Sequence, residues 1–212
     1  MPRQNRVSPF GDIEAVAARG LLIGNRGILH DAAGRLGKAR WRHPHWIACR
    51  LDFGGVRRQV MAPGRWTELF FLDEAVALAA GHRPCAYCRR EDFRRFAAAW
   101  REAHGGSARA SEVDRALHVA RIDPRRRHQR TVRAFADSLP EGAFFATLDG
   151  PAWLVSRPYA LRWTHHGYDL AAPMPAGEVA VLTPAPTVTV LRAGYRPALH
   201  PSAGLALAAR LG

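Results

Sequence analysis

The stretch AGHRPCAYCRRED, residues 80–92, constrains the fold more than any other. Gly81 suits the left-handed position that ends a helix, and Pro84 stops that helix from continuing. Cys85 and Cys88 then form a C-x2-C pair at the start of a second helix, where both sulfurs can face one ion and nearby backbone N–H groups can stabilise the thiolates. A thioredoxin-like redox pair has the same spacing. It follows a buried strand, however, whereas Cys85 follows a helix, a turn and a proline. Zinc is therefore the expected occupant.

The chain holds 3 cysteines, and the third is Cys49. A structural zinc needs four ligands. His45 is the best fourth candidate, because His45-x3-Cys49 then pairs with Cys85-x2-Cys88 as two clusters separated by a loop and a helix. His43 and His82 are alternatives, and water is another if the site is catalytic.

Around these residues the pattern reads as α+β: an N-terminal β meander with two helices around a zinc site, followed by a smaller, mostly β C-terminal region. Residues 10–60 carry the meander, apart from a short helix over 12–18. GLLIG and ILHD pair about a Gly/Asn turn, HWIACRLDF continues the sheet, MAPGRW turns and TELFFL is a short strand. Asp73 can cap a two-turn helix in LDEAVALAAG. The next helix is expected from about residue 86 to 104, because Phe93, Phe96, Ala97 and Trp100 fall on one face while Arg90, Arg94 and Arg101 lie off it.

HGGSARASE interrupts every periodicity and divides the chain into domains 1–105 and 115–212. The second half carries no functional motif. AFFATLDG and PAWLVS suggest a hairpin about Asp149-Gly150, EVAVLTP a strand, and the segment before Gly194 a short helix. Leu78 to Pro84 echoes Leu191 to Pro197, which is one helix-ending device used twice.

Charge narrows the partners. There are 31 Lys+Arg against 18 Asp+Glu, a formal +13, and the only lysine is Lys38. Such a surface attracts polyanions, so nucleic acid is the expected partner, and charge leaves RNA or DNA open. The first twenty residues lack an apolar signal core and no segment approaches the ~20 apolar residues of a membrane span, so no membrane partner is expected and a cytoplasmic location is.

Three function classes remain. In the first, the zinc stabilises a nucleic-acid-binding module. Arg50, Arg83, Arg89, Arg90 and Arg94 cluster around the ligands and meet phosphates, and PRRRHQR at 124–130 extends the footprint. In the second, the chain is a zinc enzyme that hydrolyses or demethylates nucleic acid, with Cys49, His45 and Glu68 as catalytic candidates and His43, Asp52 and Glu74 as further acid–base groups. In the third, a zinc-stabilised domain binds a protein or a small molecule.

WIACR, followed by ELFFLDEAVALAAGHRPCAYCRRED, resembles the metal-binding domain of the Ada DNA-repair family over about residues 46–95. That family pairs a C-x3-C segment with a C-x2-C segment. The resemblance implies a zinc held by four cysteines, the first of which accepts a methyl group from a DNA phosphotriester. Two registers fit this chain. With Cys49 as the first cysteine, Phe53 occupies the place of the second; with Cys49 as the second, His45 occupies the methyl-acceptor position. The C-terminal half shows neither the helix-turn-helix nor the Pro-Cys-His-Arg signature of full-length Ada, so the resemblance is to the zinc module alone.

Overall fold

The computed structural model describes residues 1–55, 59–123, 128–147 and 150–211. Within them the chain is mixed α+β. In chain order the elements are β1 (Arg6–Val7), β2 (Ile13–Glu14), β3 (Leu22–Asn25), β4 (Ile47–Arg50), β5 (Leu69–Phe71), α1 (Glu74–Ala79), β6 (Arg83–Pro84), α2 (Arg90–His104) and α3 (Ala110–Arg121). There follow β7 (Ile122–Asp123), β8 (His128–Gln129), β9 (Val132–Phe135), β10 (Phe144–Ala146), β11 (Ala152–Ser156), β12 (Tyr159–Thr164), β13 (Gly167–Pro173), β14 (Glu178–Val181), α4 (Ala185–Arg192) and α5 (Ser202–Leu211).

Two six-stranded sheets carry the fold. The first runs β2-β1-β5-β3-β4-β6 and the second β13-β12-β11-β10-β14-β9, while β7 and β8 pair by themselves. The second sheet is antiparallel throughout. The first is mixed: β4 runs antiparallel to β3 and parallel to β6, with Ile47 opposite Arg83 and Ala48 opposite Pro84. This two-strand ribbon carries Cys49 and leads straight into Cys85.

Several local expectations change. Residues 12–18 form no helix, because Ile13 and Glu14 pair with β1 and Ile13 turns into the core. β3 does not pair with residues 28–31 but with β4 and β5. At Gly27 the chain takes φ 103°, and Arg42 returns alongside it, donating its backbone N–H to the Arg26 carbonyl at 2.7 Å. α2 begins at Arg90, four residues later than expected, because residues 86–89 form a turn around the Cys85 sulfur. Helices α3 and α5 had no counterpart in the sequence reading.

Other expectations hold. Asp73 caps α1, its Oδ1 accepting from the Val76 N–H at 3.0 Å. Gly81 and Gly194 both sit at positive φ, 79° and 96°, just past α1 and α4. Each helix closes with the same pair of bonds, Gly81 to Leu78 and His82 to Ala77, then Gly194 to Leu191 and Tyr195 to Val190. Strands β10 and β11 pair as the expected hairpin. Residues 148 and 149 of its turn lie outside the described residues, as do residues 124–127 of the basic run.

The segment 105–109 separates α2 from α3, yet both apolar clusters draw on both sides of it. One joins Phe71, Leu72 and Val76 to Phe144, Leu154 and Leu161. The other joins Leu78, Phe96 and Trp100 to Phe145, Val181 and Leu191. α1 is buried along its whole length and is tied to the second half by two carboxylates. The Tyr168 hydroxyl donates to Asp73 at 2.8 Å and the Tyr195 hydroxyl to Glu74 at 2.6 Å. Among the described residues no helix is long and apolar enough to cross a membrane.

Candidate metal centre

β4 delivers Cys49, and the turn between β6 and α2 delivers Cys85 and Cys88. Parallel pairing sets the approach: the Cys85 N–H donates to the Ala48 carbonyl at 3.0 Å, which holds the C-x2-C turn beside the strand that carries the third thiol. The three sulfurs lie within 4.8 Å of one another. A tetrahedral zinc with Zn–S bonds of about 2.3 Å spaces its sulfurs about 3.8 Å apart, a spacing that falls inside this bound.

The surroundings favour thiolate. Tyr87 donates its backbone N–H to the Cys85 sulfur at 3.4 Å, and the Cys88 N–H is directed at the same atom. The Arg50 N–H serves Cys88 in the same way. A hydrogen bond from the Cys49 thiol, helped by these backbone donors, brings the Cys85 thiol down to about 5. Cys49 is pushed up, first by giving that hydrogen bond and then by burial. Cys88 is raised by burial. Of the three thiols Cys85 is thus the one most readily ionised, and soft sulfur donors of this kind suit zinc.

The histidines proposed as a fourth ligand stand elsewhere. His45 is not among the atoms that converge; its Nδ1 lies 2.9 Å from Asp114 Oδ2. His45 precedes β4 and is held against α3 by that contact, whereas Cys49 lies within the strand. His43 Nε2 lies 3.0 Å from Asn25 Oδ1. His82 is fully buried against the rings of Phe71 and Trp46, at 4.6 and 5.2 Å, and burial drives its pKa well below the usual value.

The residue that does come back to the C-x2-C turn is Phe53. Its ring meets that of Tyr87 edge-on at 5.2 Å, beside the turn that carries Cys85 and Cys88. Tyr87 itself is 79% exposed.

The arginines divide into two groups. Arg83 and Arg89 are buried and committed. Arg83 grips Asp114 with Nε and Nη2 at 2.7 and 2.9 Å, and Arg89 Nη2 lies 2.8 Å from Glu74 and 2.9 Å from Asp92. Burial in these pairs removes both from any surface that meets phosphate. Arg50, Arg90 and Arg94 are exposed, Arg94 with only a long 3.6 Å contact to Glu91.

The acid–base candidates do not gather at the sulfurs. Glu68 is buried and accepts the Met61 N–H at 2.6 Å, holding a loop in which Met61 has φ 57°. Glu74 accepts from Tyr195, Ala198 and Arg89. Asp52 is exposed.

Two features escaped the sequence reading. One is the Phe53–Tyr87 pair, whose only trace was an aromatic residue inside the C-x2-C. The other is a cluster of Arg26, Trp46 and Arg121, which no spacing announced. Compared with protein-family models, with curated proteins and with solved structures, the chain matches none, so the reading of this centre rests on its own three thiols.

Proposed function

We propose that this chain is a zinc protein whose three-cysteine centre organises a nucleic-acid-binding surface, with DNA as the preferred partner. The observation that carries the reading is the convergence of Cys49, Cys85 and Cys88 within 4.8 Å. Around them stand an exposed aromatic pair, Phe53 and Tyr87, and three exposed arginines, Arg50, Arg90 and Arg94. Arginines anchor phosphates and aromatic faces stack on unpaired bases, so this mixture suits a single-stranded or locally opened strand better than an intact duplex. The resemblance of residues 46–95 to the Ada zinc module supports DNA over RNA, and a role in repair or modified-DNA processing.

When bound, zinc supplies a fixed crosslink between β4 and the turn before α2, and it holds its sulfur ligands as thiolates. The chain's own groups do the rest: the backbone N–H groups of Tyr87 and Arg50 orient the sulfurs, and Arg50 and Arg90 flank them. Three protein sulfurs also favour a second reading. A centre with three protein ligands keeps a position for water or substrate, and Cys49, the least buried of the three, would be the reactive thiol.

Metal analysis of the purified chain should find one zinc, lost in Cys88→Ser. Binding to a single-stranded oligonucleotide, read by fluorescence anisotropy, should weaken steeply with salt. Replacing Arg50, Arg90 and Arg94 together by Gln should flatten the log–log salt slope by about 2. A chain that carries no metal, or that binds no oligonucleotide at low salt, removes this reading. For the second reading, Cys49→Ser that keeps metal and nucleic-acid binding but loses alkylation by methyl donors identifies Cys49 as the acceptor.

A further inference from the structure

A second site lies at the other end of the β4–β6 ribbon. Arg26 and Arg121 are buried, at 2% and 0% exposure, and both guanidiniums lie against the Trp46 ring, at 4.1 and 3.7 Å. They line a small, half-enclosed cavity of about 30 Å³. Arg40 and Asp12 are exposed at that mouth, and Trp41 is half-buried in its wall.

Charge and donor accounting both point to an anion. Three guanidiniums, Arg26, Arg40 and Arg121, face this cavity against one carboxylate, Asp12. Among the described residues neither Arg26 nor Arg121 forms an ion pair, and the nearby Asp114 is gripped by Arg83. Their hydrogen bonds go instead to neutral acceptors. Arg26 donates to the carbonyls of Gly11 and Ala80 and, at 3.5 Å, to His82 Nε2, and Arg121 to the carbonyls of Gly81 and Pro44 and, at 3.2 Å, to His118 Nδ1. A guanidinium has five N–H groups, so among the described residues each keeps donors to spare, and the buried Nε of Arg121 has no partner there.

Capping of α1 by these arginines accounts for part of the arrangement, since the Ala80 and Gly81 carbonyls lie just past its C-terminus. One cation would suffice for that. Two buried like charges repel each other and lose hydration, and burial followed by this repulsion drives the Arg121 pKa well below its ordinary value. The arrangement also demands Gly81, where a Cβ would stand 2.5 Å from Arg121 Cδ.

We propose that the cavity between Arg26, Trp46 and Arg121 binds a phosphate group, with Arg40 closing on it from the mouth. Forked donors match tetrahedral oxyanions, and the apolar wall of Trp41 and Trp46 strengthens the attraction by excluding water. This site is separate from the cysteine cluster and does not depend on the zinc reading.

The full chain, in a phosphate-free buffer of low ionic strength, is titrated with inorganic phosphate while thermal unfolding and tryptophan fluorescence are followed. Sodium chloride and sodium acetate at matched ionic strength are the controls. A saturable response to phosphate is expected, with a rise in Tm of roughly 5–10 °C at a hundredfold excess over Kd. Arg40→Gln lies at the exposed mouth and should fold normally while weakening phosphate several-fold. Arg26→Met should lose the response altogether; if it fails to fold, Arg40→Gln decides alone. A response that chloride reproduces at equal ionic strength, or one that Arg40→Gln leaves unchanged, overturns the proposal. Oligonucleotides with a 5′-phosphate or a 5′-hydroxyl then name the source. Tighter binding of the phosphorylated end assigns the pocket to a strand terminus, and equal binding of the two assigns it to free phosphate, each on the strength of the positive titration.

Discussion

The cysteine centre and the arginine–tryptophan pocket share one ribbon and differ in how they are made. Trp46 stands just before β4 and Cys49 within it, His82 and Cys85 stand on either side of β6, and backbone bonds from Arg83 to Trp46 and from Cys85 to Ala48 zip the two together. At the cysteine end the ligands come from 2 short tracts whose local turns hold the sulfurs in place. At the arginine end the groups come from residues 26, 46 and 121, and nothing but the packed fold brings them together. The first site is built from a local turn set beside one strand. The second needs the whole core before it exists.

That difference sets an order of expected effects. Cys88→Ser, or chelation, should act most strongly: metal binding contributes on the order of 10 kcal/mol in small zinc modules, and the part realised here is read as a fall in unfolding midpoint with loss of zinc. The same change should leave phosphate titration of the pocket intact while the chain stays folded, and joint loss of both sites at native temperature would break the proposed independence.

Asp114→Ala comes next. It strips the partner from Arg83, which is 5% exposed, and should destabilise by about 3–5 kcal/mol in urea unfolding. It acts on the elements beneath both sites, so a much smaller loss would mean that the ribbon and α3 are not held by this pair.

A pH series sharpens the arginine side. His82 is fully buried, and burial, then Arg26 and Arg121, hold its pKa well below 6.5. The unfolded chain takes up a proton near pH 6.5 that the folded chain refuses. Stability should therefore be complete above that pH and fall below it, by up to about 1.4 kcal/mol per pH unit, until the folded pKa is reached. His43 and His118, both lowered chiefly by burial, act in the same direction. His82→Phe should reduce the slope in denaturant midpoints measured between pH 7 and 5, and an unchanged slope would place the titration elsewhere.

The smallest stability effect belongs to the cysteine face. Tyr87→Ala removes a side chain that is mostly in solvent and should shift stability by less than about 0.5 kcal/mol, while weakening single-strand binding by about 1–3 kcal/mol. Unchanged anisotropy titrations would take the aromatic pair out of the proposed surface.

Sequence reading reached what neighbouring residues decide. Asp73 as a cap, Gly81 and Gly194 as helix ends, the buried face of α2 and the pairing of Cys85 with Cys88 all follow from short-range rules of dihedral preference and periodicity. Cys49 joined them because a zinc site demands more ligands than one tract supplies. His45 failed as a partner because spacing along the chain says nothing about whether the segment is coiled or extended, and here it leads into a strand.

The sequence alone therefore determined the cap and the end of α1, the apolar face of α2, the three thiols and the excess of positive charge. Tertiary structure decided which arginines remain on the surface and which are buried. Arg83, Arg89 and Arg94 look alike in the chain, yet only Arg94 is exposed, because Asp114 and Glu74 arrive from elements remote in sequence to neutralise the other two. Burial and pairing are properties of the assembled core, and a charge becomes structural or available for a ligand only when the fold has chosen its neighbours.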